Sequence, residues 1–506
     1  MVYIGKPSTG CSNCRTMKKK CDHGVPSCGR CLRKGAVCGG YRDKLDLTFR
    51  DQTRQTIHKS NQAKHKVKSP VVAAQLVGNP MEAESPSQLD ESKRLITPAL
   101  SVPITDQAVS FFFFNFVLTD PISGGGHLEY LPVIYEGIAR DLALPTAIIA
   151  IGMAGIANLR RNRDLLLAAN AQYVLAIQLT QAALIDETLR IQDQTLVSIL
   201  LLALYETIAC CSPQSLHIWS NHVTGATALI SQFAQQRLMD AVGIRIFSHL
   251  RSHAIIQALQ RSQHIPDEIQ RWSTKTHDLQ STSQAFEDQL HHLAIDLCSL
   301  RASVDNGLLT DRPTVISRAS ALDDKLADWS RRLSITYGIA IDQSLAARDT
   351  PNPACVNSYS DVHVSNAINC HTLRILTNEL ILNTLDQAKG EIKLDYQRLR
   401  SQHTMNTLIA EVCASVLSFT DRERQQAGFI ARGGFLLWPL YVVSAVPWAS
   451  RLYRDWAIAQ LKELGVETGI LQAALLARVL QIDGEINFLD REAKAKGISS
   501  NEKKTI

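Results

Sequence analysis

CSNCRTMKKKCDHGVPSCGRCLRKGAVC, running from Cys11 to Cys38, is the stretch that decides how this 506-residue chain is read. It carries six of the twelve cysteines; the others, Cys210, Cys211, Cys298, Cys355, Cys370 and Cys413, are scattered. The six obey an internal repeat. Cys11-x2-Cys14-x6-Cys21 is matched by Cys28-x2-Cys31-x6-Cys38, seventeen residues further on. Residues 1–10 are polar, so no export signal is expected and the compartment is read as reducing. Clustered cysteines there point to metal ligation rather than disulfides.

The repeat suits two metal ions. A tetrahedral zinc takes four ligands, so two zincs need eight bonds. Six thiolates supply eight bonds only if two of them bridge, one from each half. Each Cys-x2-Cys is expected at the start of a short helix, with about two helical turns before the third sulfur returns. Pro26 suits the reversal between halves. A segment this short has almost no core of its own, so metal binding supplies its folding energy.

Charge gives the unit a partner. The first seventy residues hold sixteen Lys/Arg against four Asp, a net +12 within a chain of +5, leaving a mildly acidic remainder. Such a head points to a polyanion. Arg15, Lys18, Lys19 and Lys20 lie between Cys14 and Cys21. On a helix clamped by zinc they would face a DNA groove, some reaching guanine O6 and N7 and the rest phosphates.

The cysteine stretch resembles the fungal zinc binuclear cluster, the six-cysteine, two-zinc DNA-binding module of fungal transcription factors. The resemblance implies that Cys11, Cys14, Cys21, Cys28, Cys31 and Cys38 hold two zinc ions, with Cys11 and Cys28 bridging. It implies further that Lys18, with Lys19, faces the bases of a CGG-type triplet in the major groove, while Arg15 and Lys20 lean toward phosphates. Met17 departs from the pattern, standing where the family usually has a basic residue.

Outward from the cluster, residues 39–50 show a short period-two alternation, and residues 51–104 are polar and broken by prolines. No apolar heptads follow, so no coiled coil is expected. Bases such as Arg54, Lys59 and Lys64 read as an import signal or phosphate arm. From Asp106, expected to cap a helix through the phenylalanines 111–114, the pattern is helical. Further helices are expected near 145–159, 163–186, 193–211, 214–234, 240–260, 284–303, 314–335, 361–388, 394–419, 433–446, 451–463 and 467–481. The uncharged runs 142–159 and 433–450, and the apolar run 165–185, are read as buried helices rather than membrane spans. SLHIWSNHVTGATALI at 215–230 and GGFLLWPLYVVSAVPW at 433–448 resemble the fungal-specific transcription factor domain, a helical regulatory region.

The expected architecture is all-α. A two-zinc cluster with two short helices occupies 11–40, a basic then polar linker 41–104, a large α-helical regulatory domain 105–486 and a flexible tail 487–506. The chain is read as a nuclear, sequence-specific transcription factor for RNA polymerase II genes, with double-stranded DNA and the transcription machinery or co-regulators as partners, and no membrane. Family resemblance alone suggests a secondary-metabolite gene cluster. The protein acts as a monomer on one triplet or as a homodimer joined through the body. The small footprint of one module, ~600–1,000 Å², favours the dimer.

No catalytic set is legible. Cys210, Cys211, His217 and His222 match no metal spacing, Gly124–Gly126 lacks a phosphate-loop pattern, and His291, His292 and His403 have no companions at readable spacing. The phenylalanine run and Trp219, Trp438 and Trp448 are expected in the core. The rival reading is an interaction scaffold whose cluster no longer reads DNA.

Overall fold

An uncharged run too apolar for one face must be buried on most sides, and residues 142–159 illustrate this. In the computed structural model they form a helix, Ala143–Arg160, almost wholly inside a helical body. The structure describes residues 11–22, 24, 27–36, 38, 102–119, 126–136, 142–210, 212–237, 240–277, 282–337, 361–386, 392–420 and 426–483. The extended segment at 39–50, the proline-broken linker to residue 101, Pro26, Cys211 and the tail from Arg491 lie outside them. The chain divides into two units, Met1–Thr97 and Pro98–Ile506.

The first unit contains α1 (Ser12–Thr16) and α2 (Gly29–Arg33). The second opens with α3 (Ile104–Phe116), followed by a two-residue antiparallel ladder of β1 (Leu118–Thr119) and β2 (Gly126–His127). Then come α4 (Leu131–Tyr135), α5 (Ala143–Arg160), α6 (Arg163–Ile185), α7 (Asp193–Ile208), α8 (Pro213–Arg237), α9 (Ala241–Arg261) and α10 (Asp267–His277). The remainder is α11 (Thr282–Asp305), α12 (Arg312–Tyr337), α13 (Asp361–Asp386), α14 (Ile392–Thr420), α15 (Phe429–Ala445), α16 (Arg451–Thr468) and α17 (Leu471–Asp483). The body is all-α apart from that ladder, among the described residues.

Small residues set the close contacts. A Cβ at Gly152 would lie 2.1 Å from the Ala108 carbonyl oxygen, so α3 and α5 cross backbone to backbone. A Cβ at Gly126 would lie 1.9 Å from the Leu118 carbonyl oxygen, which makes glycine necessary in the ladder. α5 is long and apolar enough to cross a membrane, and 78% of its apolar window is buried inside the body. Asn158, the polar exception near its end, donates from Nδ2 to the carbonyls of Ile208 and Gly469, both at 2.8 Å. It thereby satisfies the C-terminal ends of α7 and α16, where helix carbonyls lack intrahelical partners.

Several expectations change. Asp106 does not cap α3. The Pro103 carbonyl accepts from Asp106 and Gln107 N–H, so the helix starts earlier and Asp106 sits in its first turn, where a carboxylate suits the positive end. Four consecutive phenylalanines cannot share one helical face. Phe112 stacks on Phe116 in the core, whereas Phe114 is half exposed. α6 is not the buried helix expected over 165–185, since Leu167, Val174 and Ile185 are exposed and its buried positions are Ala169, Tyr173, Ala176 and Thr180; α7, surrounded by α5, α6 and α8, is buried over most of its circumference. The helix pair near the end breaks at Gly469, in the left-handed region at φ 73°, not between residues 463 and 467. α4 and α10 have no counterpart in the sequence reading; both are short, and α10 is strongly polar.

Candidate metal centre and nucleic-acid interface

Two short helices begin at equivalent places in the repeat and bring their cysteines to one point. Cys11 precedes α1 and Cys28 is the N-cap of α2; both are fully buried. The Cys14 N–H donates to Cys11 Sγ at 3.5 Å, and the Cys31 N–H to Cys28 Sγ at 3.4 Å. These amide contacts fix each first sulfur at a helix N-terminus, where a thiolate is electrostatically favoured.

The sulfurs form two overlapping quartets, Cys11–Cys14–Cys21–Cys28 and Cys11–Cys28–Cys31–Cys38, each with all Sγ atoms within 4.8 Å of one another. Cys11 and Cys28 belong to both. Sγ separations are 3.7 Å for Cys11–Cys28 and 3.8 Å for both Cys11–Cys31 and Cys14–Cys28. A tetrahedron with Zn–S bonds of ~2.3 Å has edges of about 3.8 Å. The donor set therefore fits two zincs sharing one edge. Thiols packed this tightly resist ionisation by themselves: contact with Cys28, then burial, pushes the Cys31 thiol up to about 12. Two cations supply the compensating charge.

Each half turns back by the same device. The Lys19 N–H donates to the Cys14 carbonyl at 2.9 Å, and the Ala36 N–H to the Cys31 carbonyl at 3.1 Å. The residues before them, Lys18 and Gly35, are both left-handed, at φ 52° and 60°. Here the sequence reading needs correction. Lys18, Lys19 and Lys20 do not ride on a two-turn helix, because α1 ends at Thr16. A continuous helix would carry the chain away from the metal, whereas the left-handed turn sends Cys21 back to it. All three lysines are exposed at or just after that turn, and Met17 is exposed just before it. Arg15 lies on α1; its side chain is outside the described residues.

Two supporting residues went unread in the sequence. Asp22 accepts the Gly29 N–H at 2.9 and 3.1 Å, tying the inter-half loop to the first turn of α2. Asn13 Nδ2 lies 3.8 Å from Cys31 Sγ, across the two halves. An acidic residue seven positions before a helix start is the only sequence signal for the first; the second has none.

In the body, Cys210 Sγ approaches the Ser212 carbonyl and His222 Nε2 the Tyr173 hydroxyl at 3.0 Å, so these residues do not assemble a metal site. The two cysteine quartets are the sole groups of three or more His, Cys, Asp or Glu with metal-ligand spacing among the described residues. His291 does find companions that spacing could not show. Arg251 Nη2 donates to its Nδ1 at 3.2 Å, while Arg251 also forms a fully buried ion pair with Asp288.

Residues 9–48 match the family model of the fungal Zn(2)-Cys(6) binuclear cluster domain, and residues 129–470 that of the fungal specific transcription factor domain. No curated protein and no solved structure matches the chain. The cluster domain binds two zinc ions, in keeping with the paired quartets. With the second match spanning most of the chain behind a zinc-binding, DNA-binding head, the protein belongs to the fungal-specific transcription factors of the Zn(2)-Cys(6) class.

Proposed function

We propose that the protein is a nuclear, zinc-dependent activator or repressor of RNA polymerase II genes that reads CGG-type triplets in the major groove. Cys11 and Cys28, common to both quartets, would be shared by the two zincs, with Cys14 and Cys21 completing one site and Cys31 and Cys38 the other. The observation that carries the ligand set is the shared sulfur pair of the two quartets. Lys18 and Lys19 contact bases, while Arg15 and Lys20 contact phosphates. Their support is the exposed lysine run at the metal-clamped turn, where a side chain has a fixed origin from which to reach a base edge.

The proposal extends to the whole chain. Its working units are 11–40, 41–104, 105–486 and 487–506, and the helical body serves regulation rather than catalysis. A homodimer through that body would read two triplets, and a gene cluster for a secondary metabolite is a suitable target. The scaffold alternative draws on Met17, 49% exposed where a base is usual.

A gel shift of the zinc-loaded chain on CGG-bearing and scrambled duplexes tests the reading. Lys18→Ala with Lys19→Ala should lose ten-fold or more on the CGG duplex, about 1–3 kcal/mol for each base contact removed. Unchanged binding would favour the scaffold.

A further inference from the structure

The helical body holds a partly open cavity of about 360 Å³ that DNA reading does not use. Its volume lies in the ~300–1,000 Å³ range of small-molecule sites. One stripe of α9 supplies much of its polar wall: Arg245, His249, His253 and Gln260 recur at helical spacing. Ile246, Phe247, Leu250 and Ala254 of the same helix are buried. A helix packed in a core keeps a polar stripe only where that stripe meets polar partners or a space that accommodates it.

Five rings follow one another along the wall. Phe435 meets His127 edge to face at 5.4 Å, and His127 meets His249 at 5.6 Å. His249 meets His253 at 4.9 Å, and His253 meets Trp219 at 5.9 Å. His249 uses both nitrogens, Nδ1 with the Tyr130 hydroxyl at 2.8 Å and Nε2 with His253 Nε2 at 3.1 Å. His127 makes no hydrogen bond from its ring among the described residues, and neither do the side-chain amides of Asn366 and Asn369 on α13. The cavity thus offers a ring wall and a few unmatched donors and acceptors.

Its charge is unsuited to an anion. Arg245 is already paired with Glu129, Nε to Oε1 at 3.4 Å, and Glu287 adds a second carboxylate. The histidines do not supply positive charge at neutral pH. Burial takes His127 and His253 down to about 4, and His249 well below its usual value.

An exposed glycine borders the space. Of the pair on α15, Gly433 has a packing reason, since a Cβ there would lie 2.7 Å from Thr468 Cγ2. Gly434 has none: a Cβ would meet nothing within 4 Å, and its φ is not left-handed. Glycine is a poor helix former, and Gly434 borders the cavity beside Phe435 and Trp438.

We propose that this cavity binds an uncharged, flat aromatic molecule bearing hydroxyl or carbonyl oxygen, its rings along the Phe435–Trp219 wall and its oxygen on His127 and the α13 amides. Occupancy would be an input to the regulatory body. The inference goes beyond the DNA-binding reading and does not depend on it.

Calorimetry of the zinc-loaded full chain with 2-naphthol, uncharged at pH 7, tests it. We expect saturable binding at one site per chain, at least ten-fold weaker binding of 2-naphthoate, and a ten-fold or greater loss in Gly434→Leu with helical content retained. His127→Phe, which keeps a ring and removes the nitrogens, should lose about five- to ten-fold. Absence of saturable 2-naphthol binding, equal affinity for 2-naphthoate, or undiminished binding in a folded Gly434→Leu overturns the proposal. If Gly434→Leu loses its helicity, His127→Phe decides, and unchanged affinity there overturns it. The gel shift on CGG duplexes is read separately, so either idea can fail alone.

Discussion

The two halves of the cysteine unit are built alike, yet at one left-handed position they carry different residue types. Each half has a cysteine at a helix start, an amide donated to that sulfur, a short helix and a left-handed residue that turns the chain back to the metal. In the second half that residue is Gly35, which adopts φ 60° without steric cost. In the first half it is Lys18, at φ 52°, where an ordinary L-residue costs ~1–2 kcal/mol. A strained non-glycine residue at a repeat-equivalent position points to a side chain kept for a purpose. Symmetry serves the metals, and its violation coincides with the residue proposed to read DNA.

Metal removal breaks the comparison most completely. Both halves depend on the ions rather than on an apolar core, and structural zinc contributes ~10–16 kcal/mol of apparent binding free energy. Chelation should abolish the amide dispersion of residues 11–38 in NMR spectra and abolish binding to CGG duplexes. The helical body should keep its far-ultraviolet circular dichroism. Metal analysis should give two zincs per chain, and one or none would refute the shared-edge arrangement.

Acid sharpens the contrast from the other side. Burial holds His371 and His291 neutral, with their proton affinities down at about 3, and His127 and His253 down at about 4. In the unfolded chain these groups take up protons near 6.5. The unfolded state therefore binds more protons between 6.5 and 4, and the body loses stability as pH falls through that window. The slope is about 1.4 kcal/mol per pH unit for each histidine fully held neutral. Urea midpoints of the 98–506 region within the full chain should fall steadily from pH 6.5 to 4. A flat profile would mean that these histidines are charged or solvated in the native state.

The smallest effect tests the asymmetry itself. Gly35→Ala should weaken zinc retention by about 1 kcal/mol through backbone strain alone, because a Cβ there meets nothing within 4 Å. Lys18→Gly should do the opposite, strengthening retention by a similar amount while weakening DNA binding. Chelator competition and gel shifts on the same pair of variants measure both. If Lys18→Gly leaves DNA binding intact, the strain serves something other than base reading.

Much of this was legible because the chemistry is local. Six cysteines at fixed intervals state the number of metal bonds, and the seventeen-residue offset states the pseudo-symmetry. Helical periodicity likewise located most of the body's helices. Asp106 looks like a cap in the sequence, but a backbone carbonyl, that of Pro103, accepts the first amides of the helix. The cavity's polar stripe was hidden because Arg245, His249 and His253 look like a solvated helix face until neighbouring helices enclose them.

Sequence by itself determined the metal stoichiometry, the basic head and the helical class, since each depends on residue type and short spacing. Only the tertiary structure decided where the lysines project, because a return to the metal overrides helix continuation at Lys18. It also decided what Gly434 and His127 face, since enclosure depends on helices distant in the chain.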